Sequence, residues 1–190
     1  MSRIFGEPVH AGFVVTNADE AVNRLLHAGV GPAFFMRGIR VPTRYRGERH
    51  DILITAAFLY AGGMQLEFVE QHDATPSAYR EFLERHPGGG LHHLAYFCTG
   101  FEAAYAQAAA QSVPLEIVQE FITPEGHPYE IYAQALGTAD PVLVQLMIPS
   151  PLEAFFEQMK AAAATWDGAE PRRDALALLP EAMRPPTESF

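Results

Sequence analysis

One pattern is written twice along this chain, and that repetition constrains its fold more than any other feature. The stretch "VHAGFVVTNADEAVNRLLHAGVGP" starts at Val9, and "HHLAYFCTGFEAAYAQAAAQSVPL" starts at His92. Laid over each other, His10 falls on His93, Phe13 on Tyr96, Thr16 on Thr99 and Val30 on Val113. Both copies read as a short strand, a polar turn, a helix, and a break before a second strand. With 190 residues, 48% of them hydrophobic, the chain is long enough for one compact domain or two small modules packed together.

Capping and breaker residues set the expected elements. The first helix is predicted over Asp19–Ala28, with Asn17 or Asp19 as N-cap and Gly29 as stop. The second is predicted over Phe101–Gln111, with Pro114 beyond its end. Strands are predicted at Phe34–Gly38, Ile52–Tyr60 and Met64–Glu70 in the first copy, and at Leu115–Glu120, Glu130–Ala135 and Val142–Ile148 in the second. "AGG" at Ala61–Gly63 and "LGTADP" at Leu136–Pro141 read as hairpin turns. Each half is therefore β-α-β-β-β, an α+β class. The expected units are residues 8–72, a helical linker 73–90, residues 91–149 and a helical extension 150–190. The linker helix is predicted over Thr75–His86, capped at Thr75-Pro76. In the extension, "PLEAFFEQMKAAAATW" is amphipathic, "RRDALALLPEAM" reads as a second helical piece, and "RPPTESF" as a frayed end.

Composition excludes several classes. No apolar run approaches the roughly 18–20 residues of a membrane span. The opening "MSRIFGEPVHAG" lacks a signal peptide's apolar core, and the single cysteine, Cys98, rules out an internal disulfide framework, so a cytoplasmic setting is expected. A formal net charge of −10 gives no general attraction to nucleic acid or anionic membrane. The arginines Arg37, Arg40, Arg44, Arg46 and Arg49 form a local basic stretch that reads as solvated loop charge, with a phosphate or carboxylate site as the alternative. No phosphate-binding glycine loop, nucleophile elbow or CxxC pair is present. Cys98 reads as an inert core thiol.

Strand alternation then isolates four polar side chains among apolar neighbours. His10 shares a face with Gly12 and Val14, and His93 with Leu91, Ala95 and Phe97. Glu67 lies in "MQLEFVE" and Gln145 in "VLVQLMI". The histidines occupy equivalent first strands of the repeat, and Glu67 and Gln145 the last strands. Buried polar groups in apolar strands are costly unless paired, and one divalent ion would satisfy all four. Two imidazoles, a carboxylate and an amide oxygen suit Zn²⁺, Ni²⁺, Co²⁺, Mn²⁺ or Fe²⁺.

The stretches "VHAGFVVTNADEA", "LEFVEQ", "SAYREFLERHPGGGLHHLAYF" and "VLVQL" resemble the vicinal oxygen chelate superfamily of glyoxalases, bleomycin-resistance proteins and dioxygenases. The likeness runs over Pro8–Ile148 and is greatest to methylmalonyl-CoA epimerase-like and glyoxalase-like members. It implies paired βαβββ modules whose curved mixed sheets enclose a metal-site cavity, with His10, Glu67, His93 and Gln145 as metal ligands. His93 is favoured over His92 by the repeat and by the family motif, and His92 is expected on the opposite face. One departure stands out. At the position of Gln145 the epimerases and glyoxalases usually carry Glu, which is also considered a base in the epimerases. An amide can ligate through its oxygen but cannot take a proton. Another acid–base group is then required, and His127, Tyr129, Glu130 and Tyr132 in the second copy and His50 and Asp51 in the first are the candidates, beside Glu67 itself. The resemblance implies a metal-dependent lyase, isomerase or epimerase that stabilises the enolate of a small carbonyl or acyl-CoA substrate. The alternative is a non-catalytic, antibiotic-type binding protein of the same fold. A small-molecule substrate and a second copy of the chain are the expected partners.

Overall fold

In the computed structural model, residues 2–138, 142–181 and 184–188 are described. The first copy of the repeat folds as β1 (His10–Val14), α1 (Ala18–His27), β2 (Ala33–Tyr45), β3 (Glu48–Ala61) and β4 (Met64–Gln71). Helix α2 (Ala78–Arg85) follows. The second copy is β5 (Gly90–Phe97), α3 (Phe101–Ala110), β6 (Leu115–Ile122), β7 (Pro128–Ala135) and β8 (Leu143–Met147). The chain then forms α4 (Pro149–Ala164), β9 (Arg172–Asp174) and a 3₁₀ turn at Ala175–Leu178.

Local chemistry accounts for the helix starts. Asn17 accepts the Glu20 N–H at the head of α1, acidic residues fill its first turn, and Arg24 and His27 fill its last, as the helix dipole favours. Ser77 accepts the Arg80 N–H and so caps α2 two residues later than the expected Thr75. In α4 the backbone at Ser150 is extended, so the regular helix begins after it.

The strands form one mixed sheet ordered β3-β4-β1-β5-β8-β7-β6-β2-β9, and β2 pairs with β3 as well. Eight strands therefore close into a ring. Two long strands make the closure. Strand β2 continues to Tyr45, well beyond the expected Gly38, and its Thr43, Arg44 and Tyr45 pair with Phe121, Glu120 and Gln119 of β6. The arginine stretch is thus strand rather than loop. Its alternation was masked by charge: Ile39 and Val41 point into the core, while Arg40 between them and Arg44 beyond point outward. Their charges are used internally. Arg37 pairs with Asp19, Arg40 with Glu188, Arg44 with Glu120 and Arg46 with Glu81. The hairpin turns at Arg46 and Gly47, both at positive φ, the backbone required by a tight two-residue turn.

The carboxy-terminal segment also departs from expectation. "RRDALALL" contributes strand β9, parallel to the start of β2, and the 3₁₀ turn rather than a helix. Thr187 bridges to Ile39, and Glu188 hydrogen-bonds Gly38 through its backbone, so this end is tied down rather than frayed. Ala182, Met183, Ser189 and Phe190 lie outside the described residues, as do Ala139, Asp140 and Pro141 of the expected "LGTADP" hairpin.

Helices α1 and α3 pack on the outside of the ring. Val22 of α1 meets Phe35, Leu59 and Phe68, and Ala104 of α3 meets Tyr96 and Leu146. The interior is filled in layers. Tyr79 and Phe82 of α2 enter a cluster with Val14, Ile39, Ile54, Val118, Phe121 and Tyr132. Phe155, Phe156 and Met159 of α4 enter another with Phe34, Phe58, Ala95 and Met147. A buried polar layer lies between them. Substituting Phe156→Ala removes a ring that packs against Phe58, Phe97 and Phe155. The expected cost is about 3–5 kcal/mol, read as a fall in the urea midpoint at unchanged m-value.

Candidate metal centre

The polar layer is built on the seam between the two copies. Strands β1 and β5 run antiparallel there, with His10 opposite Ala95 and Gly12 opposite His93. On the outer sides, β4 lies parallel to β1 with Glu67 beside Gly12, and β8 lies parallel to β5 with Gln145 beside Ala95. Each small residue is therefore flanked by an imidazole on one neighbour and a longer polar side chain on the other. At Gly12 the fit is absolute. A Cβ there would fall 1.9 Å from Cε1 and 2.0 Å from Nε2 of His93, inside the ring's own volume.

The four side chains meet with their donor atoms. His10 Nε2 lies 2.9 Å from Gln145 Oε1, 3.3 Å from His93 Nε2 and 3.4 Å from Glu67 Oε2. His93 Nε2 lies 3.0 Å from Glu67 Oε2. Relative exposure is 1% for His10, 7% for Glu67, 0% for His93 and 1% for Gln145. The spacings fit a coordination polyhedron: bonds of about 2.1 Å give edges of about 3.4 Å in a tetrahedron and about 3.0 Å in an octahedron. The ligand atoms of His10, Glu67 and His93 could hold a metal ion, and Gln145 adds an oxygen.

The orientation of the Gln145 amide follows from its other partners. Its nitrogen donates to Glu130 Oε2 at 2.7 Å and to the Tyr132 hydroxyl at 2.9 Å. When Glu130 is ionised its carboxylate only accepts, which turns the amide nitrogen to Glu130 and the amide oxygen to His10. The Tyr132 hydroxyl in turn lies 2.8 Å from that of Tyr79, joining the layer to α2.

Electrostatics are dominated by burial. Burial pushes the Glu67 carboxyl up, but the adjacent His10 and His93 outweigh it and hold it well below the usual carboxylate range. Burial pushes His93 down, against the opposing pull of Glu67. Burial and then the Glu67 charge push the Glu130 carboxyl up to about 7, against the pull of His10 and the Gln145 hydrogen bond. Burial drives the Tyr79 and Tyr132 phenols well above their ordinary value.

The other sequence candidates are placed differently. Glu130 and Tyr132 reach the layer through Gln145. His127 is exposed in the β6–β7 turn, where its backbone bonds Thr123. His50 and Asp51 lie on β3, with His50 near Glu48 and the Asp51 carbonyl accepting from Arg40. Tyr129 packs on Phe121. Cys98 follows β5, half-buried, and burial pushes its thiol up.

His92 corrects an expectation. Strict alternation puts it on the face opposite His93, but the pairing of β1 with β5 shifts between Gly12 and Phe13, leaving His92 without a cross-strand partner. This β-bulge turns its ring inward, with its Nδ1 3.0 Å from His93 Nδ1. Burial, then the neighbouring His93, pushes the His92 imidazole well below its ordinary range, while the Ala78 backbone pulls the other way. A bulge in one strand leaves no trace in hydrophobic periodicity. The small residues Gly12 and Ala95, however, occupy equivalent places in the repeat and could have been noticed.

Gly12→Ala is expected to displace His93 or open the β1–β5 seam. A loss of about 1–3 kcal/mol follows from overpacking, measured by urea unfolding against the control Gly63→Ala, where a Cβ meets nothing within 4 Å.

Comparisons with known proteins agree with this architecture. The profile of the Glyoxalase/Bleomycin resistance protein/Dioxygenase superfamily matches residues 9–132. A comparison with curated protein sequences finds no match. Among solved structures, methylmalonyl-CoA epimerase from Mycobacterium tuberculosis is similar at 19% identity and a TM-score of 0.54, over 81% of this chain and 95% of that one. A hypothetical protein from Bacillus halodurans C-125 is similar at 17% identity and a TM-score of 0.48, over 75% and 93% of the two chains. A methylmalonyl-CoA epimerase variant from Streptomyces coelicolor, in complex with 2-nitronate-propionyl-CoA, follows at 16% identity and a TM-score of 0.45, over 77% and 96%. With the profile spanning more than half of its length and the sheet closing as the repeat requires, the chain belongs to the Glyoxalase/Bleomycin resistance protein/Dioxygenase superfamily.

Proposed function

We propose that His10, Glu67, His93 and Gln145 hold one divalent ion, drawn from Zn²⁺, Ni²⁺, Co²⁺, Mn²⁺ and Fe²⁺, and that the chain is a metal-dependent isomerase, epimerase or lyase. The carrying observation is that four donors from four strands meet at coordination spacing, with Glu130 turning the amide oxygen inward. The ion, when bound, supplies Lewis acidity that stabilises negative charge developing on a substrate oxygen. The two copies of the repeat, 8–72 and 91–149, act as the halves of the site.

The chain's own residues do the rest. Gln145 offers an oxygen and no base, so the proton-transfer role falls to the carboxylate beside it. Glu130 takes a proton from the carbon next to a substrate carbonyl and returns it to a neighbouring atom in an isomerisation. An epimerisation requires the proton to come back to the opposite face of the same carbon, from a second acid–base group or after the enolate turns over. Glu67, locked between two imidazoles, stays ionised and balances the ion's charge. Phe156, edge-on to His10 with ring centroids 5.9 Å apart, excludes water from that side. An α-keto acid derivative or a CoA thioester such as methylmalonyl-CoA suits this chemistry.

A second reading, a binding protein without turnover, is favoured by one observation: Phe155, Phe156 and Met159 fill the interior next to the donors. Two measurements separate them. Metal analysis after dialysis is expected to find one ion per chain in the parent and none in His10→Ala or His93→Ala; equal metal in all three sinks the site. The loaded parent is then expected to wash deuterium from solvent into methylmalonyl-CoA or an α-keto acid. Glu130→Gln is expected to slow that exchange by about 10²–10⁴-fold at unchanged metal content. Tight ligand binding with no exchange across the panel selects the second reading.

A further inference from the structure

His92 is used by neither the proposed ligand set nor the proton transfer, yet it is 2% exposed and its Nδ1 lies 3.0 Å from a ring nitrogen of His93. Adjacent strand residues ordinarily cannot touch in this way, because their side chains leave opposite faces. The bulge at His92 makes the contact, and three aromatic rings fix it. Tyr79, Phe82 and Tyr132 lie against the His92 ring with centroids 5.3, 5.2 and 6.1 Å away.

The protons on the two rings are coupled by this contact. An imidazole that ligates through Nε2 must carry its proton on Nδ1. With the proposed ion bound through His93 Nε2, which faces Glu67 and His10, the ring's hydrogen sits on Nδ1 and needs an acceptor. The acceptor 3.0 Å away is His92 Nδ1, and two such nitrogens bond only when one is bare. His92, neutral and bare at Nδ1, then holds its own proton on Nε2. We propose that His92 is a positioning residue that fixes the tautomer and ring plane of His93, presenting the Nε2 lone pair to the ion. Resting on the metal reading above, this makes His92 the outer partner that ligating histidines generally require, supplied by a neutral imidazole instead of a carboxylate. The choice has a chemical consequence. A carboxylate in that place would add a second negative charge behind the ligand, whereas an imidazole orients His93 without lowering the ion's net charge. Gly12 completes the clamp: the His93 ring fills the space a Cβ would take there.

The test uses the full chain with Co²⁺ as probe. His92→Phe keeps an aromatic ring among Tyr79, Phe82 and Tyr132 but has no acceptor; His92→Asn keeps an acceptor at the reach of Nδ1. Chelator competition is expected to show Co²⁺ bound about 10–100-fold more weakly by His92→Phe, with a changed visible spectrum, and most of the affinity restored in His92→Asn. Nitrogen-15 NMR of the Zn²⁺-loaded parent is expected to show His92 protonated at Nε2 and His93 at Nδ1, a readout that does not depend on either variant folding. Parent-like Co²⁺ affinity and spectrum in a folded His92→Phe, or a proton on His92 Nδ1 in the loaded parent, overturns the proposal while leaving the ligand set intact. A parent that takes up no Co²⁺ overturns the ligand set and this role together.

Discussion

The antiparallel contact between β1 and β5 is the constraint on which the rest of the molecule depends. It brings the first strand of each copy side by side in a register where each histidine faces a residue without bulk, Ala95 opposite His10 and Gly12 opposite His93. The parallel neighbours β4 and β8 then carry Glu67 and Gln145 to the same level. A slip of one residue along this seam would invert every side chain on the strand and scatter the four polar groups between core and solvent. The bulge at His92 strengthens the specification, because it pins the register beside the histidine that the seam must place.

The interior shows how a polar layer survives in an apolar barrel. Most of its groups have partners: Glu67 lies between two imidazoles, and the Gln145 nitrogen is shared by Glu130 and Tyr132, while His10 Nδ1 has none among the described residues. Satisfied in this way, the layer avoids much of the desolvation penalty that unpaired buried groups would incur. An amide at position 145 fits the same logic. A glutamate there would face Glu130 at hydrogen-bond distance, and two buried like charges at that range cannot both remain ionised.

The two helices at the core set the access to this layer. Helix α2 approaches from one side, where Tyr79 meets Tyr132 and His92, and α4 from the other, where Phe156 meets His10. Helix α4 lies beyond residues 9–132, which the superfamily profile matches. It is fastened as well as packed: the Tyr60 hydroxyl donates to the Phe156 carbonyl and accepts from Gln65, the neighbour of His10 across β1 and β4.

Local sequence determined what local physics controls. Caps, glycine stops and apolar periodicity placed α1, α3 and most strands to within a few residues, and the repeat related His10 to His93 because pseudo-symmetry is written directly in residue order. The length of β2, the ring closure onto β6 and the strand at Arg172–Asp174 were not legible. Each rests on pairing between segments distant in sequence, and the arginines of β2 disguised its alternation until their carboxylate partners were assembled around them. The inward turn of His92 and the amide orientation of Gln145 belong to the same category. One depends on a register shift against Gly12 and Phe13, the other on Glu130 from a neighbouring strand. Residue order thus named the polar groups, and only the tertiary structure, by fixing non-local register, decided which way they face and what they touch.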